Sequence, residues 1–449
     1  MVGVQLYPLR DKTETDFLGV LSALGEVSYE TAKFAGHRNI PAGEMADILK
    51  QKAMNPKFGM FIHWGFYSLY GEQEQVLARL DLDSAEYEKR MVDFNPAGYN
   101  PEEWVLLAKN AGMSYICFTA KHHDGFCMWD TKHTNYNIMN TSYGGDTLKM
   151  LSAACEKHGI KLSLYYSNPD WHYEYGYNPN SSHQWKAKNK DHPKVPEYIE
   201  YIKNQITELL SNYGKIYTLF WDIPPGIEDE SINGLARELQ PGILINDRGF
   251  GKGDFATPER EVPEGNRFER MTEACQSVGE QSWGWRANED YFSLRFLMSS
   301  IDKIMAMGGS YLLNVGPKPD GKIDETSSET VKKVGIWFNK VSEAFRDVEA
   351  DGYDYRVNAE LPFIAVKNAN KTYLHFYDGI ISSGVTLLTY PQEPAKVRLL
   401  NTGEALPFEL ARLPALFNEH GYANGPYLHI QKIPVDRLVH EPIVLEITW

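Results

Sequence analysis

The chain has 449 residues, a formal net charge of −15 and a composition that is 43% hydrophobic and 23% charged. That is the balance of a folded protein, with room for two domains or for a large α/β barrel carrying an addition. The negative charge argues against nucleic acid as a partner, and the absence of a long apolar run argues against a membrane-spanning helix.

The start, MVGVQLYPLR, lacks the charged-then-apolar plan of a signal peptide, which leaves both a cytoplasmic and an exported location open. Residues 57–72, KFGMFIHWGFYSLYGE, read as an apolar strand that ends in His63 and Trp64. The first is a ring that can donate to hydroxyls, and the second is a flat apolar face. PEEWVLLAKNAG then has helical spacing, with its Pro in the first turn. SYICFTA is a short buried strand that opens into the polar loop KHHDGF. The helix TLKMLSAACEKHG ends on Gly159, as helices often do. IKLSLYYS is the next strand, and a helix around EYIEYIKNQITELLSNYG leads to the strand KIYTLFW and Asp222. SINGLAREL precedes GILIND, FSLRFLMSSIDKIMAMGG precedes SYLLNVGP, and VKKVGIWFNKVSEAFRDV closes the series.

Alternating helices and strands, with strands too apolar to face water, predict a parallel sheet covered on both sides. Enough units are present for a (β/α)8 TIM barrel over residues 51–350. After residue 351 the beat changes to short β-rich stretches with turn residues between them. These predict a small antiparallel β-sandwich over 351–449, serving either as a sugar-binding module or as a structural element packed on the barrel.

Functional groups of such barrels gather where strands end at their C-terminal side. Here those ends carry His63-Trp64, His122-His123-Asp124, Tyr166, Asp222, Asn246-Asp247-Arg248 and Asn314. Aromatic residues reach 13%, a content that suits either flat sugar-binding surfaces or a Trp-rich core. Two adjacent His beside an Asp could ligate a metal, but neighbouring strand residues point to opposite sides, and polar contacts to a polyol fit equally. The four cysteines, at 117, 127, 155 and 275, form no CxxC pair and no metal-like spacing with His.

Six segments occur together and in order: KFGMFIHWG, FTAKHHDGFCMWDT, LYYSNPDW, INDRG with GDFATPE, QSWGW, and GGSYLLNVGPKPDGKI. They resemble the signature segments of the family 29 glycoside hydrolases, the retaining α-L-fucosidases. The resemblance runs from about Pro56 to about residue 346 and implies an exo-acting hydrolase that needs no cofactor. By this resemblance Asp222 of FWD is the nucleophile. Glu259 of GDFATPE is the acid/base, with Glu273 of MTEACQS as its rival. A retaining glycosidase needs such a pair about 5 Å apart, one carboxylate fixed and ionised and the other able to give up a proton. The resemblance also implies a sugar pocket. His63, Trp64, Glu74, His122, His123, Phe220, Trp221 and Arg248 line it, Tyr166 lies near the nucleophile, and Trp283 forms a dry wall for the C5 methyl. The substrate would be a fucosylated oligosaccharide or glycoconjugate.

Three departures stand at the rim. Phe220 occupies the position two before the nucleophile, where a Trp is usual. Ile223-Pro224-Pro225 replaces the usual Gly region, and Gln75 replaces a Trp after Glu74. Residues 1–50 do not resemble the start of a fucosidase. Through Val4-Gln5-Leu6-Tyr7 and Phe34-Ala35-Gly36 they resemble the first βα unit of xylose-isomerase-like barrels, which predicts a βα segment ahead of the hydrolase. Two other classes remain open from sequence: a metal-dependent sugar isomerase or epimerase, and a non-catalytic carbohydrate-binding protein.

Overall fold

The computed structural model describes residues 58–227, 229–357, 361–412 and 426–449, together with the backbone of three short strands nearer the N-terminus. Of those three, Gly3–Gln5 pairs in parallel with Thr31–Lys33, which pairs antiparallel with Ile40–Pro41. This small sheet shares no strand with the main one. The rest of the expected N-terminal βα segment lies outside the described residues.

Seven parallel strands make the main sheet: β1 (Phe58–Ile62), β2 (Tyr115–Lys121), β3 (Lys161–Ser167), β4 (Ile216–Asp222), β5 (Leu244–Ile245), β6 (Glu273–Ser277) and β7 (Ser310–Val315). Their order is β5-β4-β3-β2-β1-β7-β6, and the sheet is curled. Helices alternate with them: α1 (Pro101–Asn110), α2 (Thr147–His158), α3 (Val195–Asn212), α4 (Ser231–Leu239), α5 (Leu294–Ala306) and α6 (Glu325–Val341). The helices begin where the sequence supplies caps. Asn100, Asp146, Ser293 and Asp324 each accept a backbone N–H of the first turn, and Gly159 closes α2 in the left-handed region.

Every residue of β2 and β7 is buried, as strands covered on both faces require. Alternate side chains divide between two cores. One set, including Phe61, Tyr115, Tyr165, Phe220 and Leu312, fills the inside of the curl. The other, including Met60, Ile116, Leu164, Trp221 and Leu313, packs outward against the helices. A bulge disturbs this parity on β4, where Ile216 to Leu219 spans the same register as Leu162 to Leu164 on β3. Between the edge strands β5 and β6 runs an irregular segment. It makes single parallel bridges to both sides, Asn246 to Phe255 and then Ala256 to Thr272 and Glu259 to Cys275. All four cysteines are buried and unpaired, Cys117 and Cys275 inside the curl and Cys127 and Cys155 in the outer core.

The C-terminal residues form two antiparallel sheets. A five-stranded sheet runs in the order Glu349–Ala350, Ile364–Asn368, Lys371–Phe376, Ile443–Thr448, Lys396–Leu399, and a three-stranded one in the order Val385–Leu387, Tyr427–Ile430, Phe408–Ala411. Leu374, Leu387, Leu399, Leu428 and Leu445 are among the residues of a separate apolar core contributed by both sheets. The larger sheet meets α5 through a fully buried pair, His375 Nδ1 at 2.9 Å from Asp302 Oδ1.

Candidate active site

The alternation of the strands decides which side chains meet. Asp222 ends β4 and turns into the curl. Its Oδ2 accepts from the Tyr165 hydroxyl at 2.7 Å, and its Oδ1 accepts from Arg248 Nη1 at 3.1 Å. Arg248 lies just beyond β5. The same Nη1 donates to Glu259 Oε2 at 2.7 Å, and Nη2 donates to the Thr257 carbonyl at 2.6 Å. One guanidinium nitrogen thus reaches both carboxylates, and their bonded oxygens are no further apart than the two bonds laid end to end, about 5.8 Å. The Asp222 side chain is 14% exposed and that of Glu259 38%, which puts the first inside and the second at the mouth. Burial works against charge on Asp222. The neighbouring His123 and Arg248, the Tyr165 donor and the backbone N–H of Ile223 outweigh it and hold the carboxyl below its ordinary range.

Ile223 is itself unusual. It is β-branched yet sits at φ 61°, in the left-handed region that costs such residues about 1–2 kcal/mol. Asn168 Nδ2 holds its carbonyl at 2.7 Å. This bend turns the Ile223 N–H back toward the Asp222 carboxylate, and Pro224 fixes the chain beyond it.

The imidazoles are held in defined tautomers. Asn314 gives its amide hydrogens to Ser277 Oγ (3.0 Å) and the Trp283 carbonyl (2.8 Å), so its Oδ1 faces His63 Nδ1 at 2.7 Å as an acceptor. Ser167 gives its hydroxyl hydrogen to the Pro169 carbonyl at 2.7 Å and accepts from His123 Nδ1 at 2.6 Å. Burial pushes His63 down to about 4 and keeps His123 well below its ordinary value, so both rings are neutral. With hydrogen on Nδ1, each presents a bare Nε2. The expected donors to hydroxyls are therefore acceptors at Nε2. His123 Nε2 lies 3.9 Å from Asp222 Oδ2. His122 stacks on Tyr165, with centroids 5.5 Å apart, and its buried Nδ1 has no hydrogen-bond partner among the described residues.

The apolar side comes from Phe220, Phe61 and Trp283. Trp283 stacks on His63 at 5.2 Å, and the Arg260 guanidinium lies over its ring at 4.5 Å. Glu74 does not face a ligand through Oε2. That oxygen accepts from Ser282 Oγ and from the backbone N–H groups of Trp283 and Gly284 at 3.0–3.2 Å, which fixes the loop carrying Trp283. A Cβ on Gly316 of the NVGP segment would come within 2.3 Å of the Trp285 backbone nitrogen, so this close approach of two loops requires glycine.

Four expectations are corrected. Tyr166 is not beside Asp222 in the pocket. It faces outward, and its hydroxyl donates to Gln205 of α3 at 2.6 Å, while its neighbour Tyr165 takes the inward role. Trp64 packs outside the curl against Phe94, Tyr99 and Trp104, and donates to the Lys318 carbonyl. Trp221 likewise faces out and donates to Asn233 of α4, with Gly249 pressed against its ring. Glu273 starts β6, paired with Ser310 at the start of β7, so it lies at the end of the sheet opposite Asp222. Its Oε2 accepts from Tyr115 at 2.6 Å. Of the other expected residues, His63, His122, His123, Phe220, Asp222, Arg248, Glu259 and Trp283 come together as described, and Glu74 braces the loop that carries Trp283. The sequence reading passed over Tyr165, Ser167 and Arg260. The alternation of Leu162, Leu164 and Tyr166 on one face was the signal that assigns Tyr165 to the other.

Two tests arise here. Tyr165→Phe removes a hydrogen bond to a charged carboxylate, so kcat on an aryl fucoside should fall about tenfold or more. Unchanged steady-state kinetics would show that this contact is not used. Glu273 gives a stability test. Burial raises its carboxyl from 4.5 to about 7, so its stabilising share is full below pH 4.5 and is lost as pH rises through 7. Glu273→Gln should therefore gain unfolding free energy over the parent as pH goes from 4.5 to 8, by on the order of 3 kcal/mol. An equal offset at both pH values would contradict it.

The alpha-L-fucosidase family model matches residues 44–343. The chain is 26% identical over 322 residues to the plasma alpha-L-fucosidase of Homo sapiens, covering 64% of this chain and 67% of that one. It is 26% identical over 368 residues to the tissue alpha-L-fucosidase of Rattus norvegicus, covering 75% and 76%. Among solved structures, alpha-L-fucosidase isoenzyme 1 from Paenibacillus thiaminolyticus superposes with a TM-score of 0.78 at 29% identity, covering 90% of this chain and 99% of that one. The Thermotoga maritima alpha-fucosidase, solved with a mechanism-based inhibitor, gives 0.70 at 26%, covering 89% and 98%. The match spans every strand of the seven-stranded parallel sheet and both carboxylates joined by Arg248, and on that ground the chain belongs to the alpha-L-fucosidase family.

Proposed function

We propose that this protein is an exo-acting retaining α-L-fucosidase that removes terminal α-L-fucosyl residues from glycans by double displacement. The observation that carries it is the pair Asp222 and Glu259, joined through one nitrogen of Arg248. Carboxyl groups about 5–5.5 Å apart suit a retaining enzyme, whereas an inverting one needs roughly 6.5–9.5 Å to admit water. In this reading Asp222 attacks the anomeric carbon and forms a glycosyl ester. Glu259 gives its proton to the leaving oxygen, then takes one from the water that cleaves the ester. The bare Nε2 atoms of His63 and His123 accept sugar hydroxyls, and Phe220 with Trp283 shelters the C5 methyl.

Phe61, Tyr115, Tyr217, Leu244 and Leu312 fill the inside of the curl and close the pocket at its base. The proposal includes closure of the sheet as a (β/α)8 barrel through the segment around 254–260, and a β-sandwich arrangement of the two C-terminal sheets.

The test is hydrolysis of an aryl α-L-fucoside followed by proton NMR from the first turnovers. The α anomer of fucose should appear first and then mutarotate. First release of the β anomer would overturn the retaining mechanism. No turnover of any α-L-fucoside or α-L-galactoside would overturn the hydrolase reading.

A further inference from the structure

The loop after β3 carries a feature that the sugar pocket does not use. Trp185 is 46% exposed, although a large indole is costly to leave in water. It is not loose. The Arg79 guanidinium lies over its ring at 5.2 Å, and Lys186 Nζ, next in the chain, reaches Asp81 Oδ1 at 2.6 Å and the Leu82 carbonyl at 2.8 Å. The loop is thereby pinned to the segment after β1. His183 stands between Trp185 and the site. Its ring is 4.7 Å from that of Trp185 and 5.6 Å from that of His123, and His123 is the ring beside Asp222. His183 holds φ 59°, a conformation few non-glycine residues adopt, and Trp171 Nε1 fixes its carbonyl at 2.7 Å. The half-buried imidazole lies within electrostatic reach of both Asp222 and Glu259.

A group near both carboxylates borders the place where the scissile bond sits. A flat exposed ring just outside it faces whatever the fucosyl group is attached to. We infer that Trp185 and His183, braced by Arg79, form the subsite for the leaving group, and that its occupant is a pyranose stacked by its C–H face on the indole. An apolar indole face suits the C–H face of a pyranose, and it makes the enzyme prefer fucosylated oligosaccharides over fucosides with small leaving groups. The inference rests on the fucosidase reading.

The test compares two substrates in the full-length protein: α-L-fucosyl fluoride, whose leaving group is too small to reach Trp185, and a fucosylated trisaccharide. The ratio of kcat/KM for the trisaccharide to that for the fluoride should fall at least about fivefold in Trp185→Ala. Trp185→Phe, which keeps a flat ring, should recover most of it and guards against a folding defect. An unchanged ratio in Trp185→Ala overturns the subsite. If the parent turns over neither substrate, the hydrolase reading fails separately. Calorimetric titration of the trisaccharide then decides the subsite: at least fivefold weaker binding to Trp185→Ala upholds it, and equal affinity overturns it.

Discussion

Asp222→Gly should lower kcat on an aryl α-L-fucoside by about ten-thousand-fold or more, the scale seen when a covalent nucleophile is removed. Three donors converge on this carboxylate, from Tyr165, Arg248 and the backbone of Ile223, and hold it in place for attack on the anomeric carbon. Azide supplied from solution should enter the space left by the side chain. It should restore part of the rate and give the fucosyl azide of inverted configuration, because a single displacement has replaced two. Retained azide product from this variant would move the nucleophile elsewhere. Near-parent activity without azide would remove Asp222 from the chemistry altogether.

Glu259→Ala carries the second large effect, and its size should depend on the leaving group. A glycan leaves as an alkoxide that needs a proton, so loss of the acid should cost roughly 100-fold to 1,000-fold in kcat. A dinitrophenyl group leaves without help, so cleavage of its bond should be nearly untouched and the ester at Asp222 should accumulate. Azide should then speed turnover and give the retained fucosyl azide, since two displacements still occur. Glu273 provides the contrast. It sits at the far end of β6 against Tyr115, and Glu273→Gln should leave the leaving-group dependence as in the parent. A flat dependence in Glu259→Ala, or a steep one in Glu273→Gln, would reassign the acid/base.

Much of this arrangement was legible in the residues. TLFWD announces a buried strand ending in a carboxylate, and the order of caps, strands and polar strand ends predicts the helix–strand alternation with the site at one end. Face was harder to read than position. Trp64, Tyr166 and Trp221 each adjoin a residue that does enter the pocket, and a motif quoted as a string does not say which of two neighbours points inward. The extra residue between Ile216 and Leu219 shifts parity along β4 with no turn residue to mark it. Glu259 and Glu273 show a second limit. Both stand near the same edge of the sheet, and what separates them is the direction of β6 and its register against β7, which are long-range pairings. The segment 254–260, with Pro258 in it, bridges two edge strands through isolated contacts that no strand pattern in its sequence announces. The acceptor face of His63 and His123 depends on Asn314 and Ser167, partners 251 and 44 residues away.

The buried cysteines make this protein a clock for its own unfolding. No thiol of the four is exposed, and burial pushes Cys155 up to about 12 and Cys117 well above its ordinary value. An alkylating reagent therefore meets a reactive thiolate only when the structure opens, and the labelling rate reports opening rather than thiol chemistry. Every cysteine lies between residues 117 and 275, and none follows residue 351. Mass gained in single alkyl steps would follow the helix-covered parallel sheet alone, with Cys117 and Cys275 timing its interior and Cys127 and Cys155 its helical shell. Separate melting of the C-terminal sheets would leave the count at zero.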